Sequence, residues 1–209
     1  NRQRNWFSVN WLLYNVNILY NISERNNINI SLFGLNADRN ALGFRSNRVY
    51  QIDPCDERDL IKGEFNNFGL ESRFLHKDSL FNRPSVFLFG LKYYDSNNTS
   101  EQGPGSDGSG SDFNFYYNDF PAYHNQSSYK YPNLNIALFT ENIYYITDRF
   151  SLTPGLRYEY INTKSEGYVK NILFDGAGNM IYDTLIYDSN INKRSFFISG
   201  LGLSYKNNK

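Results

Sequence analysis

The chain has 209 residues, 21 basic and 21 acidic side chains, and an aromatic share of 18% led by 18 Tyr and 17 Phe. Balanced charge with no basic stripe speaks against a nucleic-acid partner, and no run of about 18 apolar residues exists, which excludes a transmembrane helix. The mean hydropathy of −0.59 leaves membrane strands open, because lumen-facing residues dilute the apolar signal in each of them.

From Trp6 to Ile22 the pattern has period two, with Leu12, Tyr14, Val16, Ile18, Tyr20 and Ile22 on one face and Asn15, Asn17 and Asn21 on the other. A polar turn, SERNN at 23–27, leads into a second strand over Ile28 to Asp38. The connection from Arg39 to about Leu60 is long and polar. A third strand runs from about Ile61 to Lys77, with Leu70, Ser72 and Phe74 opposed to Gly69, Glu71 and Arg73; DSLFNRP at 78–84 turns it into a fourth over Ser85 to Asp95. Ser96 to Tyr131 is the longest irregular segment and contains GPGSDGSGSD. Asn133 to Tyr160 then reads as one membrane-spanning hairpin, turning at 147–149, with Leu134, Ile136, Leu138, Leu152, Leu156 and Tyr158 on its greasy side. A third long connection, from about Thr163 to Arg194, precedes a last strand over Ser195 to Lys206.

The expected fold is all-β, an antiparallel up-and-down meander of about seven strands forming part of a large transmembrane barrel. Long and short connections alternate, as in outer-membrane barrels, so the short turns are expected in the periplasm and the long loops outside. An odd strand count argues for a piece of a larger barrel, since a complete small one has an even number. Leu12, Tyr14, Ile18, Phe87, Phe89, Leu91, Leu156, Tyr158, Leu201 and Leu203 are expected to face lipid.

The stretch ALFTENIYYITDRFSLTPGLRYEYI resembles the barrel hairpin of TonB-dependent outer-membrane receptors, in particular the ferric-citrate-receptor-like group of Bacteroidetes-type bacteria. RNALGF at 39–44, NNFGLESRFL at 66–75, FLFGLKYYD at 87–95, SGSDFNFY at 109–116 and GLGLSYK at 200–206 extend the likeness over nearly the whole chain. The resemblance implies that residues 1–209 are a partial barrel domain, with no plug domain or signal peptide within them. It further implies uptake of a ferric chelate, such as ferric citrate or another siderophore. The implied partners are outer-membrane lipid, a plug domain of the same parent chain and the TonB energy-coupling complex. Cobalamin, other metals and glycans are alternative cargoes. Different readings are a small complete barrel with a structural or adhesion role, and a barrel-embedded lipid-modifying enzyme.

No enzymatic chemistry is expected. GPGSDG at 103–108 matches GxGxxG by letter, but polar loop replaces the strand and helix that a phosphate turn needs. Asp107 and Asp112 lack the alternating acids of a calcium loop, His76 and His124 lack metal-pair spacing, and Cys55 has no CxxC partner. No cofactor or resident metal is expected, and no GxSxG elbow is present. Alternation places Glu71, Arg73, Glu141, Arg157 and Glu159 on the lumen wall, where they either meet a plug or substrate or form a ladder of cross-strand charge pairs. In the outer loops, Arg45, Arg48, Tyr50, Arg58, Tyr123, His124 and Tyr129 are the candidate ligand groups. Arg supplies bidentate donors to carboxylates and Tyr supplies stacking surface.

Overall fold

A computed structural model describes residues 3–46, 48 and 50–207. Seven strands follow one another: β1 (Trp6–Asn21), β2 (Asn26–Gly43), β3 (Asp59–Leu80), β4 (Arg83–Pro104), β5 (Ser127–Tyr145), β6 (Phe150–Phe174) and β7 (Met180–Tyr205). They form one antiparallel sheet in the order β1-β2-β3-β4-β5-β6-β7, so every strand pairs only with its neighbours in sequence. The all-β, seven-stranded meander expected from the alternation is the observed fold.

Register fixes the faces. Even-numbered residues of β1, β2 and β3 stand beside odd-numbered residues of β4, then even-numbered ones of β5 and β6 and odd-numbered ones of β7. All ten residues expected to face lipid fall on this one face. Its central row reads Ile18, Ile30, Ser72, Leu91, Leu138, Tyr158, Phe197, while the matching row behind it reads Asn17, Ser31, Glu71, Lys92, Ala137, Glu159, Phe196. The first row suits hydrocarbon and the second a polar interior, so the two faces are lipid-side and lumen-side.

The strands outrun the bilayer. A tilted strand crosses hydrocarbon in about 9–11 residues, yet β3 and β4 have 22 residues each, β6 has 25 and β7 has 26. Beyond the apolar band both faces become largely polar while the backbone ladder continues. This corrects two expectations. The irregular segment between β4 and β5 shrinks to 105–126, and the supposed third long connection is instead the paired upper arms of β6 and β7, closed by a turn at 175–179. The other short turns lie at 22–25, 81–82 and 146–149. At 81–82, Phe81 and Asn82 both have positive φ (52° and 60°), the type I′ geometry that matches strand twist, although Asn-Gly would adopt it with less strain.

Several glycines sit directly opposite an aromatic ring. Phe33 lies over Gly69, Phe139 over Gly90 and Tyr129 over Gly167, all on the lumen side. A Cβ built on Gly90 would stand 2.1 Å from the Phe139 ring, and one on Gly69 would stand 2.2 Å from Phe33. The absent side chain therefore lets each ring lie flat along the wall. Gly90→Ala is expected to destabilise the barrel by about 1–3 kcal/mol, read as a lower unfolding temperature of the heat-modifiable band. Adding Phe139→Ala should recover part of the loss. Unchanged stability of Gly90→Ala would refute the flat-ring packing.

Candidate functional site

Two polar regions on the lumen side hold the charged and aromatic groups. The deeper one is a groove of about 600 Å³ lined by Glu71, Arg73, Lys92, Phe139, Glu141 and Arg157, among others. Alternation on β3, β5 and β6 brings all five lumen-wall charges foreseen in the sequence onto this face. Their pairing is not the expected cross-strand ladder. Arg73 Nε donates to Glu71 Oε1 at 2.6 Å and Arg157 Nε to Glu159 Oε1 at 2.6 Å, each along its own strand. Positions two apart on a strand share a face, and a long Arg folds back to reach its neighbour. Across strands, Asn135 Nδ2 donates to Glu159 Oε2 at 2.8 Å. The Arg157 guanidinium also lies 5.2 Å from the Phe139 ring centroid. Lys92 and Glu141 form no ion pair among the described residues, so two opposite charges remain open to whatever fills the lumen.

The second region is the rim where β3 and β4 meet the long connections 44–58 and 105–126. Asp59 is its centre. Arg45 Nε stands 3.4 Å from Asp59 Oδ2, the Tyr123 hydroxyl donates to Asp59 Oδ1, and Gln102 Nε2 donates to the Tyr123 oxygen at 3.2 Å. His124 tilts over Tyr123 with centroids 6.1 Å apart. Burial, and then the Asp59 carboxylate, push the Tyr123 hydroxyl well above its ordinary pKa, so it stays a proton donor. Tyr117, in the same connection, is pushed up to about 12 by burial.

Three of the seven loop residues foreseen in the sequence, Arg45, Tyr123 and His124, are thus brought together, with Asp59 and Gln102 completing the cluster. Those two were missed because they end strands whose outer parts carry no alternation. Arg48 and Tyr50 form a separate exposed pair, Arg48 Nη1 donating to the Tyr50 hydroxyl at 2.8 Å. Tyr129 stacks on Tyr131, centroids 6.0 Å apart, and lies against Gly167 on the lumen side.

Arg58 differs from the expectation of a ligand-facing group. It is fully buried. Its guanidinium donates to Ser106 O (2.9 Å), Arg4 O (3.0 Å), Gly110 O (2.8 Å) and Ser106 Oγ (2.7 Å). Arg4 in turn pairs with Asp53 at 2.7 Å, and Trp6 Nε1 donates to Ser109 O at 2.7 Å. A chain of guanidinium contacts therefore ties the start of β1, connection 44–58 and segment 106–110 into one cap. Beneath it, Leu42, Leu60 and Pro104 are fully buried.

Over residues 1–209 the chain matches the family described as TonB dependent receptor-like, beta-barrel. The chain belongs to this family. Barrels of the TonB-dependent receptors lie in the outer membrane, and the receptors are transporters. The fold is similar to that of the ferric yersiniabactin uptake receptor FyuA from Yersinia pestis (TM-score 0.70, 11% identity, 96% of this chain and 26% of that one). It is also similar to the ferric citrate transporter FecA in the unliganded form (TM-score 0.67, 12% identity, 98% of this chain and 26% of that one). The chain spans about a quarter of the length of these structures, and at such identity what is shared is the fold. No curated protein sequence matches it.

Proposed function

We propose that the chain forms part of the barrel of an outer-membrane receptor that captures an anionic ferric chelate, ferric citrate or another siderophore. By the quoted hairpin sequence it falls in the ferric-citrate-receptor-like group. Connections 44–58 and 105–126 face outside and the turns at 22–25, 81–82 and 146–149 face the periplasm. Cargo held at the rim passes along the lumen wall when the TonB complex moves a plug belonging to the same parent chain. The observation that carries this reading is the rim cluster. It gathers an exposed Arg45, hydroxyl and amide donors, and aromatic faces at the lumen edge of a barrel of this family. Such a set suits carboxylate or catecholate oxygens around iron. No bond is made or broken by the protein.

Binding of radiolabelled ferric citrate and of a ferric catecholate to the whole receptor tests the cargo. Arg45→Gln with Arg48→Gln is expected to weaken binding of the anionic chelate by about tenfold, leaving neutral ligands unaffected. Equal binding by variant and parent would remove these arginines from the site. Orientation has its own test. Cys55 is an exposed free thiol in connection 44–58. A membrane-impermeant maleimide should therefore label it on intact cells, with Cys55→Ser as the blank. Labelling only after the outer membrane is permeabilised would place the long connections in the periplasm.

A further inference from the structure

Above the apolar band, the lipid-side face changes charge from one part of the sheet to the other. On β2, β3 and β4 it carries Asp38, Glu64, Asp95 and Glu101 against Lys62; on β5, β6 and β7 it carries Lys130, Lys164, Lys170 and Lys193 against Glu166 and Asp183. The whole chain is neutral, so this is segregation rather than excess. Lys170 is committed to Asp183, at 3.3 Å, and to Pro121 O. The other three lysines remain around a single acid, Glu166, which pairs with Lys164.

Their placement is regular. Lys130 stands opposite Glu166, two residues beyond Lys164, and Lys164 stands opposite Ile191, two residues short of Lys193. The three therefore occupy successive diagonal positions, about 7–8 Å apart. Counting outward from the apolar rows, each is the fourth residue after the apolar lipid-side residue that precedes it: Leu134 before Lys130, Tyr160 before Lys164, Phe197 before Lys193; farther out, β6 and β7 mix such residues as Ile172 and Ile191 with polar ones. Four residues span about 13 Å along a strand. The diagonal also follows the membrane plane. Register carries Asn21, at the first turn, to Glu141 on β5, yet β5 continues to Tyr145 before its own turn. A line of constant depth thus slides toward the turn side on passing from β1 to β5, the same sense in which the lysines descend from β5 to β7. They share one depth, just outside the apolar band.

At this depth a lipid-facing side chain meets headgroups. Lys130 and Lys193 are exposed and have no ion-pair partner among the described residues. Basic residues on this part of the lipid-side face are all Lys, whereas Arg73, Arg157 and Arg194 lie on the lumen side. A compact ammonium on a flexible stem can follow the oxygens of a mobile phosphate, where a planar fork would require fixed geometry. We infer that Lys130, Lys164 and Lys193 form a docking strip for the phosphates of an anionic lipid headgroup in the leaflet on the long-connection side. The inference rests on the orientation proposed above and is independent of the cargo.

The test uses the whole receptor in phosphatidylcholine nanodiscs containing either diphosphorylated lipid A or the same lipid with its phosphates removed. Retained lipid is counted by native mass spectrometry. The diphosphorylated form should be retained preferentially, less so at high salt. The triple variant Lys130→Gln, Lys164→Gln, Lys193→Gln should bind it about a hundredfold more weakly, given the usual contribution of a lysine near an anionic surface. Lys62→Gln should bind like the parent, and the triple Arg variant should retain most of the affinity. Unchanged heat-modifiable migration shows that each variant is folded. Equal retention of the two lipids, or no effect of the triple Gln variant, would overturn the inference. Displacement of the lipid by millimolar inorganic phosphate would overturn it too, by showing an ion site instead of a headgroup site. Labelling of Cys55 from the wrong side would defeat the orientation alone and leave these binding results as they stand.

Discussion

Replacing Arg58 by Met is expected to release both long connections together. The side chain is fully buried and its donors reach two other segments of chain, at Arg4 and at 106–110. Methionine fills similar space but leaves the carbonyls of Arg4, Ser106 and Gly110 without their donor. Hydrogen bonds to a charged group each contribute about 1.5–3 kcal/mol, so losing the set should cost the closed cap about 3 kcal/mol or more. Burial and the neighbouring Arg4 lower the Arg58 pKa, and Asp112, Asp107 and Asp53 oppose that shift; guanidinium stays charged in any case. The measurement is protease cleavage on intact cells. Cuts in 44–58 and 105–126 should rise in parallel in Arg58→Met, with barrel migration unchanged. Arg58→Lys should be intermediate, since an ammonium keeps the charge but cannot span the same acceptors. Cleavage of only one connection would show that the cap is two independent loops.

Leu91→Arg is expected to lower the folded, membrane-inserted receptor sharply, whereas Thr99→Arg should be nearly silent. Both positions are on β4 and both are on the lipid-side face, since residues eight apart share a face. Leu91 lies in the central apolar row with Leu138 and Tyr158. Arginine at the bilayer midplane of a barrel costs about 2–4 kcal/mol, against about 0–1 near the interface. Urea unfolding of the receptor in lipid vesicles reads the difference directly. If the two substitutions cost the same, the apolar rows do not mark the membrane.

The parts of the fold that could be read from the sequence are those where lipid and lumen enforce opposite chemistry on alternate residues. The rows through Leu91 and Lys92 are of this kind, and strand count, faces and the lumen charges followed from them. The outer arms were not legible, because water on both sides removes the contrast. Thr163 to Arg194 mixes Lys, Asn, Ser, Tyr and Ile without period two, and only backbone pairing makes it strand. The site shows the same division. Arg45, Tyr123 and His124 were visible as residue types in loops, but Asp59, which joins them, read as one more acid of the polar connection, where the structure makes it the first residue of β3. Arg58 looked like its exposed neighbours, since its burial is decided by carbonyls about 50 positions away. Phe139 and Gly90 lie on different strands, and nothing local announces that one lies flat on the other.

The over-length of β6 and β7 has a consequence for reach. From Lys193 to the start of β7 at Met180 the strand runs about 40 Å, paired to β6 along its length with one bulge at Ile181. A loop of that length would collapse against the surface, but a paired ribbon holds its height. The turn at 175–179 therefore stands well clear of the headgroups, with Met180, Ile181 and Tyr182 exposed beside it. In the orientation proposed above, anything large that approaches the cell, such as an antibody or a phage tail, would touch this ribbon before it reached the rim.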